Sequence, residues 1–193
     1  MRKIFGYVFL VVFWIICLDG IWVLNVFEAI RKRSSVRNFL DMPIQEDILM
    51  SVLEAGRLAP SAKNRQEWRF IVVRDGELRR RIGEAANGQS FVGKAPVVLV
   101  ACGVVDGYVM SCGQPSYPID VAIALDHISL AAVECGLGTC WIGAFNEDKV
   151  KEILGIPEDV RVVELMPIGY PVNQSVKEKN RLPLSKILKH DRW

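Results

Sequence analysis

The sequence predicts an α/β or α+β domain in which helices and strands alternate along the chain. Apolar residues at helical spacing mark two long segments, at 43–58 and 119–135. Short apolar runs without that spacing lie between and after them, at 69–74, 96–102 and 161–170. No repeat or low-complexity stretch interrupts the alternation, and 193 residues suffice for one domain with its own core.

The first half of the predicted domain holds three helices and two strands. Asn25 caps a short helix with a basic end, which suits the negative end of the helix dipole. An amphipathic helix over 43–58 precedes a strand over 69–74, and a charged surface helix covers 77–86. The strand over 96–102 is almost entirely apolar, so we expect it to be buried on both faces.

The second half continues the alternation around one long helix. This helix covers 119–135 and ends at Gly136. A short strand over 139–142 follows, and Asn146 caps a further helix. The last main strand covers 161–170, and a polar tail completes the chain.

Composition excludes several classes of function. The formal net charge of +2 comes from basic residues dispersed among acidic ones, which argues against nucleic-acid binding. Two histidines are too few and too scattered for a zinc site, and no G-x-S-x-G motif supports a Ser-His-Asp or Cys-His centre. Five cysteines without a C-x-x-C pair argue against a disulfide framework. Dinucleotide and P-loop glycine motifs are absent from the sequence.

The N-terminal residues form a separate apolar leader, which we place at 1–24. Residues 4–24 would span about 31 Å as a helix at about 1.5 Å per residue, enough to cross a bilayer core. The leader is interpreted either as a signal anchor or as the product of a translation start assigned too far upstream. We expect a cytoplasmic location, with a membrane tether only if 4–24 are a true anchor.

A turn of small and polar residues before the 69–74 strand is the first candidate site. Pro60 should end the preceding helix. Ser61 and Asn64 can hydrogen-bond the edge of a planar ligand, and Trp68 can wall its pocket. The alternative is an ordinary helix-to-strand connector with a tryptophan in the core, and physical reasoning alone favours it.

Two basic clusters form the second candidate site. The first contains Arg33, Ser34, Ser35 and Arg37, and the second is the sequence Lys179-Asn180-Arg181. Arginine offers a planar fork of donors, lysine a point charge and serine a short donor, and all three suit a phosphate group. Taken separately, each cluster is more often a solvated charged surface.

Together these segments resemble the nitroreductase family of FMN-dependent oxidoreductases. The resemblance rests on their order: a basic-Ser-basic element, the pattern P-S-x-x-N-x-Q-x-W, the run Gly-Leu-Gly-Thr-Cys-Trp-Ile-Gly-Ala-Phe at 136–145, and a basic tail. It covers about 25–193, which we take as one FMN domain. No single motif decides the matter, but the ordered set is specific.

The resemblance implies a mixed central sheet wrapped by helices in an intertwined homodimer with FMN at the interface. It also implies that a hydride passes from NADH or NADPH through the flavin to a nitroaromatic, quinone or similar small-molecule acceptor. The alternatives are a specialised flavin reaction, of the reductive dehalogenase or flavin-breakdown type, and an FMN-binding module without turnover. Because the segment 103–118 is short, we expect an open, permissive pocket.

The resemblance also assigns site residues by their positions in the motifs. The phosphate, ribityl chain and pyrimidine edge would contact Arg33, Ser34, Ser35 and Arg37, and the phosphate would also contact Lys179 and Arg181. The ring edge would meet Pro60, Ser61 and Asn64, partly from the other subunit, with Asp120 near a further flavin contact. The residues over the ring would be Trp141, Ile142, Gly143 and Ala144. No side chain is assigned a catalytic role and no metal is expected, because the flavin carries the chemistry.

Overall fold

The computed structural model describes residues 24–173 and 178–193. In this part of the chain, four strands form one sheet in the order β1-β2-β4-β3, with every neighbouring pair antiparallel. The strands are β1 (Trp68–Val73), β2 (Val97–Val104), β3 (Gly138–Thr139) and β4 (Val160–Gly169). The α+β class is therefore confirmed. Among the described residues, the one parallel pairing is the isolated bridge between Ser35 and Thr139.

Seven α-helices are present among the described residues. They are α1 (Val26–Lys32), α2 (Glu46–Arg57), α3 (Gly76–Ala85), α4 (Ser90–Lys94), α5 (Tyr117–Glu134), α6 (Glu147–Leu154) and α7 (Leu184–Ile187). A short 3-10 helix, Ala62–Asn64, lies in the turn before β1. Helices pack against both faces of the sheet.

The two faces of β2 define two cores. Leu99 and Ala101 pack with α2 and α5, whereas Val98 and Val100 pack with α3, α4 and α6. All eight residues of the strand are buried or nearly so. The expected burial of this strand on both faces is confirmed, because alternate side chains of a strand point to opposite sides of the sheet.

Most predicted elements are present with small shifts of their ends. Asn25 caps α1 and forms a reciprocal capping box with Glu28. Asn146 caps α6, which ends at Gly155 in the left-handed conformation with φ of 65°. The predicted strand over 139–142 is shorter, because only Gly138–Thr139 pairs continuously and Ile142 makes an isolated bridge to Leu165.

The apolar leader lies outside the described residues except for Leu24. The backbone N–H of Leu24 donates to the carboxylate of Glu134 at 2.9 Å, which fixes the start of the domain against the end of α5. Within 24–173 and 178–193, no helix is long and apolar enough to cross a membrane.

Candidate functional site

The first basic cluster is fastened to the sheet through β3. Arg33 closes the last turn of α1, where its backbone N–H donates to the carbonyl of Ala29 at 2.8 Å. Ser35 then bridges to Thr139, and the N–H of Val36 donates to the carbonyl of Thr139 at 2.9 Å. The segment 33–37 therefore runs beside the chain that leads into 140–144.

The structure brings the second basic cluster to the first. Lys179 donates from its ammonium to the backbone carbonyl of Ile30 in α1. The pKa of Lys179 is lowered by partial burial and then by the positive charges of Arg33 and Arg181. In the described part of the chain, none of these three cations forms an ion pair with a carboxylate. Their uncompensated charge favours an anionic ligand.

Two polar residues at the end of β3, Thr139 and Cys140, lie next to the segment 33–37. Burial raises the pKa of the Cys140 thiol, while Arg37, a hydrogen bond with Ser35 and the charge of Arg33 oppose the shift. The guanidinium of Arg37 lies 6.0 Å from the ring centre of Phe91. The hydroxyl of Thr139 is buried and has no hydrogen-bond partner among the described atoms. A buried hydroxyl without a protein partner, on a residue that bridges to Ser35, leaves one donor free for a ligand.

The second candidate group, at the 60–66 turn, is built on strained backbone. Lys63, Asn64 and Gln66 have φ of 51°, 56° and 52°, values that non-glycine residues rarely adopt. The hydroxyl of Ser61 accepts from the N–H of Gln66 at 3.0 Å. Pro60 is exposed where the chain leaves α2.

Asp120 supports the same turn from the first turn of α5. Its carboxylate oxygens accept from the N–H of Ala62 at 3.1 and 3.2 Å. Burial raises the pKa of Asp120, and the hydrogen bond from Ala62 opposes the shift. This side chain therefore has a structural role in the turn, whatever else it contacts.

Trp68 and Glu67 fill structural positions next to the turn. Trp68 is 7% exposed and belongs to the core shared with α2 and α5, as the helix-to-strand connector interpretation expected. Glu67 is buried, accepts from the Ser116 hydroxyl at 2.7 Å and pairs with Arg65 at 3.1 Å. Arg65 also lies 4.4 Å from the ring centre of Tyr108. The turn and the segment 103–118 are thus held together.

The segment 141–144 lies against β4, on the side of the first group. Ile142 exchanges two backbone hydrogen bonds with Leu165, at 2.9 and 3.2 Å. Trp141 packs partly against the core shared with α2 and α5, whereas Gly143 and Ala144 are exposed. The segment therefore presents backbone rather than bulky side chains to the solvent at Gly143.

A carboxyl group that the motifs did not indicate lies behind this segment. A Cβ atom on Gly143 would stand 3.6 and 3.9 Å from the two carboxylate oxygens of Glu164. Burial raises the pKa of Glu164 to about 7, against a hydrogen bond from the backbone of Ile142. The signal in the sequence was a second charged residue, besides Arg161, in the predicted 161–170 strand.

The two candidate groups lie far apart on one chain. Asp120 and the 60–66 turn are at the start of α5, and β3 follows shortly after its end; 18 residues span about 27 Å at about 1.5 Å per residue. The register of the strands gives a similar separation between the two groups. Trp68 pairs with Gly103, and Thr139 pairs with Ile168, which is opposite Val97 at the other end of β2. Six residues of β2, about 20 Å at about 3.4 Å per residue, separate the two positions.

Known proteins are similar to this chain in both sequence and fold. The family model described as Nitroreductase family matches residues 30–104 and 86–170. The structure of a nitroreductase family protein from Clostridium novyi NT is 38% identical, covers 77% of this chain and 87% of its own, and has a TM-score of 0.73. The FMN reductase (NAD(P)H) of Bacillus subtilis (strain 168) is 32% identical over 176 residues, 82% of this chain and 70% of that protein.

A further similar structure contains a bound nucleotide. It is the NADPH:FMN oxidoreductase from Vibrio harveyi complexed with NAD+, and it is 27% identical to this chain. The match covers 88% of this chain and 78% of that protein, with a TM-score of 0.80. Among the residues that the structure describes here, no group of three or more His, Cys, Asp or Glu side chains could hold a metal ion.

Proposed function

We infer that this chain, which belongs to the nitroreductase family, is an NAD(P)H-dependent flavin oxidoreductase that uses FMN. Bound FMN supplies the hydride chemistry, accepting a hydride from NADH or NADPH and passing it to a second substrate. The acceptors that we propose are nitroaromatic compounds, quinones and similar small molecules. The protein's own residues bind and orient the cofactor and control which molecules reach it.

The observation that carries the cofactor site is the convergence of Lys179, Arg33 and Arg181 without an acidic partner among the described residues. We propose that these three cations hold the phosphate of FMN. Arg37, Ser34 and Ser35 would contact the ribityl chain and the pyrimidine edge. Only one such cluster is proposed, so a single phosphate is expected, which favours FMN over FAD.

The segment 141–144 is proposed to lie along the flavin ring. Its position beside β3 makes it continuous with the phosphate-binding cluster. Gly143 and Ala144 are exposed, so their backbone groups can approach a planar ring closely. Trp141 and Ile142 would lie over the same ring.

The second group is proposed to serve the flavin of a partner subunit. Pro60, Ser61, Asn64 and Asp120 lie about 20 Å or more from the cation cluster of the same chain. A homodimer in which α5 faces its copy would place this group against the partner's flavin. Each of the two sites would then take its phosphate donors from one chain and its ring-edge contacts from the other.

Exposed apolar surface supports the proposed dimer. An open groove of about 510 Å³ lies on the outer face of α5, lined by Pro118, Ile119, Ala122, Ile123, Asp126 and His127. Phe27 of α1 is 69% exposed, and Leu182 and Leu184 of the tail are 69% and 67% exposed. Apolar surface of this extent on a folded domain is typical of an interface. We propose that the tail reaches around the partner subunit.

The leader is proposed to contribute nothing to flavin binding. Leu24 is the first described residue, its backbone contacts Glu134, and every proposed flavin contact lies after it. We propose a cytoplasmic location for the flavin domain, with residues 4–24 acting as a tether if they are a true anchor. A stray leader from an upstream start is the other interpretation, and the flavin domain is the same in both.

Anaerobic mixing with NADH and, separately, NADPH tests the proposed activity. Rapid bleaching of the yellow flavin colour, followed by its return when a quinone is added, is the expected result. A protein that keeps FMN but does not bleach with either nucleotide would instead be a flavin-binding module. The segment between β2 and α5, all of which the structure describes, contains no helix that could cover the site, so we expect several acceptors to restore the colour.

A further inference from the structure

Glu164 is a half-buried acid in β4, whose other charged residue is the exposed Arg161. It lies directly opposite Ala101 of β2, on the face that packs against α2 and α5. Directly opposed residues of an antiparallel pair share one face of the sheet. In the described part of the chain, Glu164 forms no ion pair. Its burial is therefore not offset by a cation.

The carboxyl group faces the segment that we assign to the flavin ring. Its oxygens lie in ordinary van der Waals range of a Cβ position on Gly143, so no side chain intervenes between Glu164 and the Gly143 backbone. A larger residue at 143 would have separated them. The acid is thus covered by one layer of exposed backbone on the side where the ring is proposed to lie.

Few other charged or titratable groups act at this place. Glu164 interacts with the Cys140 thiol, which burial holds in its neutral form by raising the thiol pKa. Arg37 and Arg33 act on that same thiol from the segment 33–37. The facing strand offers only Ala101. Glu164 is therefore the titratable group behind Gly143 whose charge can change near neutral pH.

We propose that Glu164 takes up a proton when the bound flavin is reduced and releases it when the flavin is reoxidised. This inference rests on the proposed function. Hydride transfer from NAD(P)H adds negative charge to the ring, and a buried carboxylate next to that charge binds a proton more tightly. The hydride carries both electrons. The proton comes from solvent, forms an O–H bond on a carboxyl oxygen of Glu164, and returns to solvent when the hydride leaves.

Proton uptake during reduction tests the proposal. FMN-loaded protein is reduced electrochemically in weakly buffered solution containing an indicator dye, at pH values on either side of 7. We expect the wild-type protein to take up more protons per flavin than Glu164→Gln in this range. Glu152→Gln, which changes an exposed glutamate of α6, is the matched control and should behave as wild type. Equal uptake by wild type and Glu164→Gln would overturn the proposal.

A second measurement needs no variant and so survives a folding failure of Glu164→Gln. The infrared difference spectrum of the wild-type protein should gain a protonated-carboxyl C=O band on reduction at pH 8. A spectrum without this band would overturn the inference while leaving the flavin reduction itself intact. A wild-type protein that binds no FMN would overturn the proposed function, and this inference with it.

Discussion

Lys179 donates a hydrogen bond to the backbone carbonyl of Ile30, a residue 149 positions earlier in the chain. This contact brings the polar tail to the end of α1, immediately beside Arg33. The two ends of the domain therefore build one cationic cluster from Arg33, Lys179 and Arg181. The cluster depends on the tail, which contributes Lys179 and Arg181 and little to the described core.

Removal of the tail should therefore abolish both assembly and flavin binding. A chain ending at Tyr170 loses Lys179 and Arg181, together with exposed apolar residues such as Leu184. We expect a monomer or an aggregate without FMN, measured by light scattering and by the flavin absorbance. A stable monomer that still contains FMN would refute the intertwined dimer.

The unpaired hydroxyl of Thr139 gives a prediction of opposite sign for the apoprotein and the holoprotein. A buried polar group without a partner costs about 1–3 kcal/mol, so Thr139→Val should raise the free energy of unfolding of the apoprotein. The same change should weaken FMN binding if the hydroxyl serves the cofactor. Chemical denaturation and fluorescence titration measure the two effects. Loss of stability in the apoprotein would show that the hydroxyl is already satisfied.

Glu164 should destabilise the protein as the pH rises. Its pKa is about 7 in the folded chain, against 4.5 for a glutamate in water, so the protonated form is the one that the fold favours. The associated stability is fully present below pH 4.5 and is lost as the pH rises through about 7. Chemical denaturation at pH 8 should therefore give Glu164→Gln a free energy of unfolding about 2–3 kcal/mol higher than that of wild type. At pH 4.5 the two proteins should differ little. A difference that does not change with pH would contradict the burial of this carboxyl.

The leader should be dispensable for the flavin domain. A chain that begins at Leu24 retains the backbone nitrogen that donates to Glu134, and it retains every proposed flavin contact. We expect it to be soluble, dimeric and yellow, as judged by gel filtration and absorbance. If it fails to fold while the full chain folds without detergent, the leader is part of the core and both interpretations of it are wrong.

Local signals in the sequence predicted the elements that are held by local interactions. Asn25 and Asn146 cap their helices through side-chain bonds to residues three positions on, so both helix starts could be read directly. The helix α4 was not predicted, because it is five residues long and includes Gly93. A Cβ there would stand 2.9 Å from the carbonyl oxygen of Arg79, so this glycine is explained by packing against α3.

The candidate site was predictable only where its residues lie in one motif. The run at 136–145 indicated the neighbourhood of Thr139, but its unpaired hydroxyl depends on contacts across the sheet. The proximity of Lys179 to Arg33 was expected from the family resemblance and not from spacing. For Trp68 the sequence left a pocket wall and a core position as alternatives, and its place in β1 puts it in the core. The burial of Glu164 depends on β2 and on Gly143, which are distant in sequence.

The central claim is that Arg33, Lys179 and Arg181 bind the phosphate of FMN, and two ligands test it most directly. FMN and riboflavin, which lacks the phosphate, are titrated into the apoprotein of wild type and of Arg33→Ala/Arg181→Ala. Each charge-assisted hydrogen bond contributes about 1.5–3 kcal/mol, so the double variant should bind FMN at least about a hundredfold more weakly. Arg57→Ala/Arg80→Ala, which removes three exposed surface ion pairs, is the matched control.

Wild type should prefer FMN to riboflavin, and the double variant should lose most of this preference, keeping only the contribution of Lys179. Riboflavin binding should be the same in the two proteins. Unchanged FMN affinity in Arg33→Ala/Arg181→Ala would contradict the phosphate assignment. So would an equal loss of affinity for both ligands, because the two arginines would then act on the fold or the ring rather than on the phosphate.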